Sequence, residues 1–149
     1  MNTQQIDRFL RQRLPDFDGV FSIDTLPEHP RLLICNTEPS NEPGRHWVAI
    51  CVRDGRGEFF DLFGRAFNAI FERYLNRQCL YWTFNDRRLQ SIVSRFCGHY
   101  CIYYCVLSSI VSRQPSSRQA ARGLGSMKFA VARARVRGPR QQADVSAAG

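Results

Sequence analysis

Cys97 opens an apolar segment, CGHYCIYYCVLSSIV over 97–111, that reads as a buried helix. The free N–H groups and the dipole at the first turn of a helix stabilise an anion, a thiolate included. Gly98, next along the chain, lets a substrate backbone approach closely. A buried structural thiol is the competing reading, because Cys101 and Cys105 follow at helical spacing and read as core. His46 opens a second apolar segment, HWVAICVR, just after a loop containing glycine. An imidazole at a strand edge serves structure as readily as proton transfer. Asp61 interrupts the run Phe59-Phe60-Asp61-Leu62-Phe63. A carboxylate among aromatics is costly unless something holds it. An imidazole would serve, and so would backbone N–H groups or an arginine. Gln90 stands seven residues before Cys97 in a polar stretch. Its amide matters because an N–H can stabilise an oxyanion. Thiol, imidazole and carboxylate are the parts of a cysteine hydrolase. The thiolate attacks a carbonyl, the imidazolium returns a proton to the leaving group, and the carboxylate holds the ring.

The cysteine spacing does not suit a metal. Cys97, Cys101 and Cys105 share one helix face with His99 nearby. Structural zinc ligands are usually two to four residues apart across a turn. Here they would span about 12 Å of helix axis at about 1.5 Å per residue. No metal and no resident cofactor is expected.

These residues need elements to bring them together. A helix is read over 3–14, with Ile6, Phe9, Leu10 and Leu14 on one face. RLLIC at 31–35 reads as a short buried strand, and NTEPSNEPGR at 36–45 as a loop. HWVAICVR at 46–53 and EFFDLF at 58–63 read as strands joined by the turn DGRG, a hairpin. Residues 66–76 read as a helix, with Phe67, Ile70, Phe71 and Tyr74 at helical spacing. CLYWTF at 79–84 reads as a strand and 85–96 as loop. The pattern is α+β: a central mixed or antiparallel sheet with a hairpin carrying His46 and Asp61. It packs on a buried helix whose N-terminus carries Cys97. A tight turn at Gly55-Arg56 sets Asp61 opposite Ile50, on the same face as His46 but four residues along. That is about 13 Å of strand. Contact then requires strong twist, a bulge at Gly55 or Gly57, or a different register.

The chain has 149 residues and a net charge of +8, and the charge is unevenly spread. Residues 1–111 hold 13 Arg against 12 acids, a balance of +1; residues 112–149 hold seven Arg, Lys128 and Asp144, a balance of +7. The body, 1–111, reads as one domain, and 112–149 as an Arg-rich, largely disordered tail with a marginal helix near Met127–Arg135. Its arginines, Arg133, Arg135, Arg137 and Arg140 among them, could contact nucleic-acid phosphates, which leaves an inactive nucleic-acid-binding protein as an alternative to an enzyme; a solvated tail is the bland reading. No apolar run reaches the roughly 18 residues of a membrane span. MNTQQIDRFLRQRL lacks a secretory apolar stretch, so an intracellular, reducing location, cytoplasm or nucleus, is expected. The six cysteines are then free thiols or ligands rather than disulfides.

GRHWVAI at 44–50, FFDLFG at 59–64 and LQSIVSRFCGHYC at 89–101 together resemble the adenovirus endopeptidase family. That family shows His-Trp opening a strand, an acid followed by x-Phe-Gly, then Gln and Cys-Gly about seven residues apart. It belongs to the clan that includes the SUMO-specific proteases. The segment GVFSIDTLP at 19–27 resembles protease-like chains of Polinton-type virus-like elements. The resemblance covers roughly 1–108. It implies a peptide-bond hydrolase with His46 as general base and acid, Cys97 as nucleophile and Asp61 orienting His46. It also implies that Gln90 joins the Cys97 N–H in the oxyanion hole and that Trp47 shapes the site, although Trp47 reads equally well as a core aromatic. A protein or peptide substrate, an isopeptide-linked modifier as an alternative substrate, and a monomer are implied. So is stimulation by a peptide or DNA. Chains of the family continue apolar and helical after the cysteine helix, whereas this one turns to RARVRGPRQQ. Either the domain is shortened and an apolar surface is left uncovered, or this end was acquired separately.

Overall fold

The computed structural model describes residues 2–64, 68–85, 97–112 and 131–136. Asn2 and Gln5 close a capping box that starts the first helix, α1, over Thr3–Arg11. The chain continues through β1 (Phe17–Ser22), β2 (Leu32–Asn36), β3 (Trp47–Arg53) and β4 (Arg56–Phe60). Then follow α2 (Ala69–Gln78), β5 (Tyr81–Asn85), α3 (Cys97–Ser112) and β6 (Val131–Val136). The strands form a mixed six-stranded sheet in sequence order. β1 is parallel to β2 and β4 to β5, and the other neighbours are antiparallel. The architecture is α+β.

Period-two patterning splits the core into two layers. Leu32 and Ile34 of β2 and Ala49 and Cys51 of β3 face α1 and α3. Leu33 and Cys35, with Val48 and Ile50, face α2. All five residues of β2 are buried, as a central strand covered on both faces requires. Ile6 and Leu10 anchor α1, and Phe71, Tyr74 and Leu75 anchor α2. α3 carries no charged residue; Cys101, Tyr104, Cys105 and Ser109 form its buried stripe behind Cys97 and Gly98. The Arg53 guanidinium fastens its far end by donating to the Ser108 carbonyl at 2.7 Å.

Several expectations are corrected. α1 ends at Arg11 rather than at residue 14, and Phe9 lies outside its buried stripe under the Arg13 guanidinium, 3.9 Å from the ring centroid. β1 is a strand that the alternation does not reveal, because a bulge between Phe17 and Gly19 breaks its period. The hairpin turn is Asp54-Gly55, both left-handed with φ of 49° and 75°, as a two-residue type I′ turn demands. Arg53 therefore pairs with Arg56 and Ala49 with Phe60. Continuing that register sets Asp61 opposite Val48, two residues from His46 instead of four. Within 127–135 the expected marginal helix gives way at Val131–Val136 to an extended strand antiparallel to β5. β-Branched valines bound that segment, and pairing with β5 supplies hydrogen bonds that a short isolated helix lacks. Arg133 and Arg135 lie in it, opposite Phe84 and Trp82; Arg137 and Arg140 lie outside the described residues.

Candidate active site

One end of the sheet gathers the candidate residues. His46 immediately precedes β3, Asp61 immediately follows β4, and Cys97 is the first residue of α3. β4 stops there because the chain folds into a turn in which the Gly64 N–H donates to the Asp61 carbonyl at 2.9 Å. Gly64 adopts φ of 56°, a value glycine takes at little cost. The turn aims the Asp61 carboxylate at the hairpin's other strand. His46 Nε2 and Asp61 Oδ1 are 2.6 Å apart, with both side chains largely buried. The gap left by the sequence reading is thus closed by a different register and by Asp61 leaving its strand.

Three further contacts set the pair. The Phe63 N–H donates to Asp61 Oδ1 at 2.9 Å, and the Phe63 ring packs on the imidazole with centroids 4.6 Å apart. The Asn85 side chain accepts from the Asp61 N–H at 2.9 Å and donates to the Asp61 carbonyl. Neither Phe63 nor Asn85 stands out in the sequence. Phe63 could have been noticed, since it lies two residues from Asp61 in the same aromatic run. Asn85 depends on a parallel strand pairing that has no local signal.

Cys97 is brought to the same imidazole. With Nε2 on Asp61, Nδ1 is buried and has no hydrogen-bond partner among the described residues. The Cys97 sulfur nevertheless lies near enough to the ring for the two groups to shift each other's pKa. Such contacts are often loose in a resting site. Burial alone would lower the His46 pKa, but the Asp61 carboxylate and the Cys97 thiolate outweigh it and raise it to about 9. Burial alone would raise the Cys97 pKa. It is outweighed by His46 and by the backbone amides of Trp47 and Gly98, and the thiol ends below its ordinary value. The five other cysteines go the opposite way. Burial pushes Cys51 and Cys79 up to about 11 and raises Cys35, Cys101 and Cys105 too.

Trp47 packs on the α1–α3 side of the sheet. Its carbonyl accepts from the Cys101 thiol at 3.4 Å. Gly98 is buried, and a Cβ there would lie 3.1 Å from Ile6 Cδ1 and 3.7 Å from Trp47 Cε3. The close approach at that face of Gly98 is therefore made by this chain's own side chains, not by open space for a substrate. Gln90 lies outside the described residues. Among the described residues no group of three His, Cys, Asp or Glu side chains is placed to hold a metal ion. No helix among them is long and apolar enough to cross a membrane.

No family model matches the chain, and no curated protein matches it. Among solved structures it is similar to the ASFV pS273R protease, with 21% identity and a TM-score of 0.41. The match covers 51% of this chain and 34% of that one, so the chain spans about a third of that protein's length.

Proposed function

We propose that the chain is a cysteine peptidase, with Cys97 as nucleophile, His46 as general acid and base, and Asp61 holding His46. The observation that carries this reading is selective. Of six thiols, the one at the head of α3 is pulled below its ordinary pKa, and its coupled imidazole sits 2.6 Å from a buried carboxylate. A structural thiol has no need of either partner.

The chemistry follows from the charges. The Cys97 thiolate adds to an amide carbonyl carbon, and the carbonyl electrons move onto oxygen. The Cys97 N–H at the start of α3 supports that oxyanion, with Gln90 as the second donor that the family resemblance implies. His46 gives its proton to the amide nitrogen, the C–N bond breaks, and an acyl thioester remains on Cys97. Water then adds to the thioester as His46 takes its proton, and the acid product leaves with the thiolate restored. A peptide bond and an isopeptide bond present the same carbonyl to this site. The test is Cys97→Ala in the full chain, assayed on a denatured protein substrate with mass spectrometry of the products. Cleavage by the parent chain and none by the variant supports the reading. Equal cleavage by both sinks it.

A further inference from the structure

Asn85 occupies an unusual place in the sheet. β4 and β5 run parallel, and their last pair is Phe59 with Phe84. Beyond Phe60 the β4 chain turns away, so β5 no longer pairs with β4 at Asn85, although on its other side Asn85 still pairs with Val131 of β6. Asn85 is the final residue of β5 and is buried, 7% exposed. Its side-chain oxygen accepts from the Asp61 N–H at 2.9 Å, and its side-chain nitrogen donates to the Asp61 carbonyl. A carboxamide carries the donor and acceptor of a peptide group. The Asn85 side chain thus continues the ladder by one step, as a substitute for backbone, across 24 residues of sequence.

We propose that Asn85 is a positioning residue for this site: by gripping both main-chain polar groups of Asp61, it fixes the direction of the carboxylate that holds His46. The proposal rests on the peptidase reading above. With N–H and C=O both held, the Asp61 backbone cannot rotate freely, and the Phe63 N–H holds Oδ1 from the other side at 2.9 Å. The remaining freedom of the carboxylate is small, and its Oδ1 is the atom at 2.6 Å from His46 Nε2. The grip needs one donor and one acceptor on a short planar group. Alanine offers neither, and leucine fills the volume while offering neither.

The experiment follows Cys97 alkylation by iodoacetamide against pH, with the labelled peptide resolved by mass spectrometry. The full chain is compared with Asn85→Ala, Asn85→Leu and Asp61→Ala, and circular dichroism monitors folding. The parent chain should react at Cys97 well below the pH at which an ordinary thiol ionises. In Asn85→Ala and Asn85→Leu the acid limb should move up by about one pH unit, a roughly tenfold slower reaction on that limb. The rate on the alkaline plateau should not change. A residue that serves only the fold would leave that limb where it is. If Asp61→Ala moves the limb and both Asn85 variants leave it in place, the proposal fails and the peptidase reading stands. If both Asn85 variants unfold, Asn85 serves stability rather than orientation, and the proposal also fails. If the parent chain shows no early-ionising thiol, the peptidase reading fails and takes the proposal with it.

Discussion

Sulfur chemistry at Cys97 depends on a charge pair with a finite pH window. The thiolate exists above the lowered pKa of Cys97, and the imidazolium exists below about 9, the raised pKa of His46. In the proposed mechanism turnover needs both, because the thiolate attacks and the imidazolium protonates the leaving nitrogen. Peptide cleavage should therefore trace a bell whose alkaline limb lies near pH 9. Simple alkylation of Cys97 needs only the thiolate and should stay on its plateau above that pH. Coincident alkaline limbs in the two measurements would contradict the assigned roles. Asp61→Ala removes the carboxylate 2.6 Å from His46 and, on the proposed mechanism, should lower kcat by about a hundredfold or more, with a smaller effect on KM. Steady-state kinetics on a cleaved peptide checks it. The site was partly legible from type alone, since Cys97, His46 and Asp61 each interrupt or open an apolar run. Cys97 was marked among the six thiols by its place at the head of an apolar helix; the partners that its sulfur faces were not legible, because they come from distant segments.

Elements translate small local preferences into the site's geometry. The Asp54-Gly55 turn fixes the β3–β4 register, and with it the distance from Asp61 to His46. A slip by one residue would turn every β4 side chain to the other face. Gly55 has φ of 75°, and a Cβ there would lie 2.9 Å from the Leu80 side chain. Gly55→Ala should cost about 1–2 kcal/mol from the left-handed backbone, read as a lower urea midpoint. α2 begins where Asn68 accepts from the N–H groups of Ile70 and Phe71 at 3.0 and 3.1 Å. Asn68→Ala should cost about 1 kcal/mol of stability and leave Cys97 alkylation unchanged, since the cap is remote from the sulfur's partners. The same distinction governs what could be read beforehand. α3 and β2 declare themselves by unbroken apolar runs, whereas β1, with Asp18, Gly19 and a bulge, does not.

At the scale of the whole molecule, α1 and α3 cover one face of the sheet and α2 the other, while the outer side of α3 exposes Tyr100, Tyr103 and Ile110. β6 covers the open edge of β5, the strand that ends in Asn85. An exposed strand edge invites pairing with another chain. Truncation after Ser112 should therefore lower the melting temperature and increase light scattering at equal concentration. An unchanged melting curve and unchanged scattering would show that β6 protects nothing. If Arg133, Arg135 and their neighbours contact phosphate, the truncated chain should also lose DNA binding at low salt, with a steep salt dependence in the full chain.

The amino-acid order alone set the local facts: a thiol at the head of an apolar helix, an imidazole at the head of a strand, an acid within an aromatic run, and the α+β alternation of elements. These arise from periods of two and of about 3.6 residues, which neighbours along the chain express. Tertiary structure decided the rest. It chose the hairpin register, assigned His46 its carboxylate, brought Cys97 and His46 close enough to shift each other's pKa, and set Asn85 against Asp61. Each of those depends on groups far apart in sequence meeting in a buried, poorly screened space, where burial and partner charge compete and only the assembled geometry determines the winner.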